Sequence, residues 1–141
     1  MNFPLPAGLQ TSSARGHAGW VTLRVTLALL IAAHGWTRLV GGGVVPFGDW
    51  LVTQGLPFGF AIAAAVTAIE VLGTPLLASG RLVAPLALVY SFIYTIGIVL
   101  VHAKAGWFVV GKGRNGAEYS VLLIVCLLCV GLQHVRSNKD A

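Results

Sequence analysis

The chain has 141 residues, 57% of them hydrophobic and 9% charged, with a formal net charge of +5 and a mean hydropathy of +0.86. Soluble domains carry about 25% charged residues, so the deficit excludes an ordinary water-soluble globule and points to lipid as the main solvent. The Lys and Arg residues are scattered rather than clustered, which excludes a nucleic-acid surface and suits loops facing anionic headgroups.

Residues 1–19 hold Pro4, Pro6, Gly8, Thr11, Ser12 and Ser13 and no apolar core. They read as a short flexible or interfacial arm and not as a signal peptide. Four apolar stretches follow, at about 20–40, 57–79, 82–102 and 116–134. Each has roughly the 18–23 residues that cross about 30 Å of hydrocarbon. Backbone groups in lipid must bond within their own segment, so the stretches are helices. The first ends at Gly41-Gly42-Gly43, and Val44 to Leu56, with Pro46, Asp49 and Trp50, reads as a loop. Pro57 fits the first turn of the second helix. Ser79-Gly80-Arg81 makes a tight antiparallel connection to the third. A Gly-rich loop with Lys104, Lys112 and Arg114 leads to the fourth, and residues 136–141 form a polar tail without a prenylation motif. The expected fold class is all-α, an integral membrane four-helix bundle with both termini on one side, here side A. Basic residues divide almost evenly between side A and the opposite side B, and side A is read as cytoplasmic.

Glu70 lies in the middle of the second stretch. A charge there costs roughly 2.5–3.5 kcal/mol on insertion scales, so it needs a partner. At 100° per residue, Arg24, His34 and Arg38 share about an 80° sector of the first helix. Ala63, Thr67, Glu70 and Thr74 share a stripe on the second, Tyr90, Tyr94 and Gly97 on the third, and Glu118, Cys126, Cys129 and Gln133 on the fourth. Such stripes turn inward. Counting depth at about 1.5 Å per residue gives a buried layer of Arg24, Glu70, Tyr90 and Tyr94, with Glu70 paired to Arg24. A second layer of His34, Arg38, His102 and Glu118 forms the rim of a site open to side B. The pair either locks the bundle register or serves a proton-carrying or ligand-binding carboxylate; the tyrosines either fill the core or stack beside a ring.

His34 and His102 stand on different helices with no further ligands at metal spacing, so no metal or haem site is expected. Cys126 and Cys129 have dithiol spacing, but an apolar helix makes them packing residues. Trp20, Trp36, Trp50 and Trp107 read as interfacial anchors.

Taken in order, Arg24, His34-Gly35-Trp36-Thr37-Arg38, Gly55-Leu56-Pro57, Glu70-Val71-Leu72-Gly73, Arg81, His102 and Asn115-Gly116-Ala117-Glu118-Tyr119 resemble the DoxX family of small four-helix bacterial membrane proteins, over about Thr22 to His134. Arg38 replaces a more usual Lys and keeps the charge. The resemblance implies a bacterial inner-membrane subunit of a redox system, linked either to quinone or to thiol and oxidative-stress chemistry. A quinone would be its cofactor, with His34, Arg38, His102 and Glu118 on the headgroup, Arg24 and Glu70 shaping the site and Tyr90 and Tyr94 on the ring. Its partners would be membrane lipid and proteins of a redox complex, with room for an oligomer and none for nucleic acid. A non-enzymatic scaffold or a small proton or solute conduit are the alternatives.

Overall fold

A computed structural model describes residues 6–110 and 115–135; Lys112, Arg114 and the polar tail lie outside them. Among the described residues all regular structure is helical. The helices are α1 (Ser12–Val40), α2 (Val44–Thr53), α3 (Gly59–Ala78), α4 (Val83–Ala105) and α5 (Glu118–Gln133). Helices α1, α3 and α4 are long and apolar enough to cross a membrane. Helix α5 is apolar but has 16 residues, about 24 Å of rise, because residues before it fold back on themselves: Ala117 and Glu118 donate their N–H groups to the carbonyls of Gly106 and Trp107.

Two stretches differ from the sequence expectation. Helix α1 begins at Ser12, within the expected arm, because Thr11 Oγ1 accepts the N–H of Ala14 as an N-cap. Arg15 then ties Leu9 and Gln10 to the first turn through their carbonyls. The expected loop after the glycines is instead α2. Pro46 sits in its first turn, where a missing N–H breaks nothing, so the residue that signals a loop is tolerated by a helix.

Helices α1 and α3 pack closely. A Cβ on Gly35 would lie 2.6 Å from Cβ of Glu70, and the Arg24 guanidinium lies against Gly80, 3.3 Å from where its Cβ would stand. These two contacts fix an antiparallel register. In that register Val40 falls opposite about Ala65, some 9 Å short of the start of α3. The missing height is supplied by α2, which leans on the first turns of α3 with Gly48 against Gly59 and Phe60. The rise alongside α3 is therefore shared by two helices, α1 and α2, with a break at the three glycines between them. Gly42 takes φ +68° at the break, a conformation open to glycine at little cost. The N–H groups of Gly41, Gly42 and Gly43 bond to the carbonyls of Thr37, Leu39 and Arg38, so the break leaves none of these donors bare to lipid.

The dry core occupies the side-A half. Leu27, Ala28 and Ile31 of α1 meet Leu77 of α3, Val83, Ala87 and Tyr90 of α4, and Leu123, Leu127 and Val130 of α5. Tyr90 closes this core at its upper end. Its hydroxyl donates to the carbonyl of Ile69 at 2.9 Å and fits only because Gly73 has no side chain; a Cβ there would sit 2.5 Å from the oxygen. Tyr90→Phe is expected to destabilise the bundle by about 1 kcal/mol, read as a lower midpoint of unfolding in mixed micelles, whereas an unchanged midpoint would show that the bond carries no weight.

Candidate functional site

Glu70 is buried at 4% exposure, and its partner is Arg38, not Arg24. Arg38 Nη1 donates to Glu70 Oε2 at 2.6 Å and to Thr67 Oγ1 at 3.2 Å. Thr67 passes its own proton to the carbonyl of Ala63, and Thr74 bonds the carbonyl of Glu70, so both hydroxyls are oriented. The guanidinium also stands 4.6 Å over the ring of Phe47 from α2, a cation–π contact that covers the face of the ion pair. Phe47 in turn stacks on Trp50, centroids 6.1 Å apart.

Arg24 does something else. Its guanidinium donates to His134 Nε2 at 2.8 Å. Arginine only donates, so His134 carries its proton on Nδ1 and gives it to the carbonyl of Val130 at 2.9 Å. Arg24 thus ties α1 to the end of α5 at side A, where it faces the turn containing Gly80.

Above the core, in the side-B half, the helices enclose a cavity of about 280 Å³. Its walls are His34 and Arg38 of α1, the Phe47–Leu51 face of α2, Ile62, Val66 and Glu70 of α3, and one side of α4 from Phe92 to His102. Helix α4 changes to π-helical turns over Ile98–His102, and Leu100, Val101 and His102 of that stretch line the wall; such turns recur at functional sites. Phe92 and Ile96 are lining residues that also face outward, at 66% and 38% exposure, so the cavity opens sideways toward lipid beside α4.

The polar groups in this apolar space are few and specific. Tyr94 presents a buried hydroxyl with no hydrogen-bond partner among the described residues. The second oxygen of Glu70, Oε1, likewise takes no hydrogen bond from them. His102 donates Nδ1–H to the carbonyl of Asn115 at 2.6 Å, which holds the ring at the end of α4 beside the cavity. His34 is exposed and reaches the cavity from α1.

The structure therefore brings His34, Arg38, Glu70, Tyr94 and His102 to one cavity and leaves three of the expected residues elsewhere. Arg24 is at side A, and Tyr90 lies in the core below the cavity floor. Glu118 accepts the N–H of Val109 at 2.9 Å and organises the loop before α5. Trp50, expected as an interfacial anchor, lines the cavity. Cys126 packs against the core and Cys129 is exposed; both are free. Among the described residues no three His, Cys, Asp or Glu side chains gather as a metal site would require. Phe47 escaped the sequence reading, because a single aromatic residue in an expected loop carries no signal for cation–π cover.

A family model described as DoxX matches residues 19–103, a range that contains every residue lining the cavity. No curated protein and no solved structure matches the chain.

Proposed function

The chain belongs to the DoxX family of small integral membrane proteins, and on that premise we propose that its side-B cavity binds a quinone and that the protein is the membrane subunit of a redox complex. The observation that carries this reading is the buried hydroxyl of Tyr94, without a hydrogen-bond partner among the described residues, in a largely apolar cavity that opens beside α4. A buried polar atom of this kind calls for a partner, and a ring carbonyl delivered from the bilayer supplies one. Pockets for such molecules are apolar with a few placed polar groups. In this reading Tyr94 holds one carbonyl, Arg38 and Glu70 fix the polar end, and His34 and His102 carry protons between the cavity and side B. Two electrons from a partner protein that oxidises a thiol or another reduced sulfur compound, with two protons, convert the two ring carbonyls to hydroxyls. The membrane would be the bacterial inner membrane, with side A in the cytoplasm.

Mass spectrometry of the lipid extract of the purified protein is expected to find a quinone, and Tyr94→Phe is expected to lower its occupancy about tenfold, the worth of one hydrogen bond. His34→Ala is expected to slow quinone reduction by the assembled complex while insertion is unchanged. A protein that retrieves its partners but holds no quinone would instead be a scaffold, in which the Arg38–Glu70 bond serves only to fasten α1 to α3. Proton or solute flux through liposomes that depends on Glu70 would make it a conduit.

A further inference from the structure

We infer that Gly97 of α4 is the residue that sets how large a ring the cavity admits, the room left by its missing side chain being the ligand's; this rests on the quinone reading and deepens it. Glycine in a helix interior lowers the ratio of folded to unfolded protein about fivefold against alanine, so its presence calls for a local reason. Backbone conformation supplies none. Gly97 has φ −58° and ψ −40°, a right-handed helical pair open to any L-residue.

Close packing supplies none either. Gly35, Gly73 and Gly131 stand where a Cβ would crowd its neighbour, 2.6 Å from Glu70 Cβ, 2.5 Å from the Tyr90 hydroxyl and 3.0 Å from Ala87 Cβ respectively. At Gly97 nothing among the described residues lies within 4 Å of that point. This openness is not exposure to lipid. Leu88 and Phe92 mark the outward face of α4 at 63% and 66% exposure, and Gly97 lies roughly 140–180° round the helix from them. It is half-buried and lines the cavity with Ile93 one turn before it and Leu100 and Val101 one turn after.

Position 97 is also next to the entrance. Ile96 lines the cavity and faces outward, so a side chain on the following residue would stand just inside the mouth beside α4. With hydrogen alone there, a flat ring can enter past Phe92 and Ile96 and lie against the backbone of α4, its apolar tail remaining in the bilayer. A methyl group in its place takes room from the ring. One methylene in an apolar pocket changes affinity by about tenfold or more, and the loss grows with the ring, since a larger ring has less spare volume around it.

The test uses the full-length protein in nanodiscs of quinone-free lipid, with a decyl-substituted benzoquinone and a naphthoquinone carrying the same tail. Binding is read from saturable tryptophan quenching, which Trp50 in the cavity wall reports. Gly97→Ala is expected to weaken the bicyclic ring about tenfold and the single ring less, and Gly97→Leu to exclude both. In ligand-free mixed micelles Gly97→Ala is expected to unfold at an equal or higher midpoint, which a glycine kept for packing would not allow. A lower midpoint, or rings bound by both variants as tightly as by the unmodified protein, overturns the role of Gly97 and leaves the quinone site in place. Binding of neither quinone by the unmodified protein overturns both.

Discussion

Arg38→Ala is expected to cost the inserted protein about 3–5 kcal/mol, the loss seen when one partner of a buried pair is removed. Glu70 is buried and has no other salt-bridge partner among the described residues. Arg24 cannot substitute, because it lies toward the opposite end of α1 with its guanidinium on His134. The loss is also compounded: Arg38 holds Thr67 on α3 and the ring of Phe47 on α2, so three elements lose a common fastening. Replacing the pair together, with Arg38→Met and Glu70→Leu, is expected to restore most of the stability, since apolar side chains of similar volume often equal or improve on a buried pair. The double variant is also expected to lose ligand binding. Unfolding in mixed micelles, followed by circular dichroism, separates the cases. If Arg38→Ala unfolds within about 1 kcal/mol of the unmodified protein, below the range for a broken buried pair, then the carboxylate is not relying on this arginine.

The second large effect is expected at Gly35. A Cβ there would lie 2.6 Å from Cβ of Glu70 and 3.2 Å from its backbone carbon, so the obstacle includes main chain and cannot swing aside. Gly35→Val is expected to push α1 off α3 and cost at least the 1–3 kcal/mol typical of overpacking, with Gly35→Ala intermediate. Gly19 of the same helix has no neighbour within 4 Å, and Gly19→Ala is expected to raise stability by up to about 1 kcal/mol through helix propensity. Opposite signs at two glycines of one helix would show that contact with Glu70 governs the response. A similar small change at both would remove the close α1–α3 contact from the account.

That Glu70 needs a cation follows from the apolar run around it, but the choice of cation does not. Arg24 and Arg38 share one face of α1, and depth counting decides between them only if the ends of the helix are known. Reading Trp20 to Val40 as a complete crossing puts Val40 at the side-B surface and Arg24 nearer Glu70. In the structure α1 starts earlier, at Ser12, and ends short of the level where α3 begins, with α2 making up the height, so Arg38 lies about one turn above Glu70. Helix α2 was hard to see because Pro46 and the three glycines are loop signals, and a ten-residue helix has too few turns for its periodicity to overrule them. The four-helix architecture was legible because apolar length and lipid leave helices little alternative. The cavity was not, since it arises from how the bundle packs above Tyr90, which no single helix records.

From the cap at Thr11 to the guanidinium of Arg38, α1 is one continuous rod. Its hold on the bundle is spread along that length, from Arg24 on His134 through Leu27, Ala28 and Ile31 in the core to the close approach at Gly35. A load on the side-A end is therefore shared by the core before it can disturb the Arg38–Glu70 bond, and the ion pair is insulated from events at the N-terminal end of its own helix.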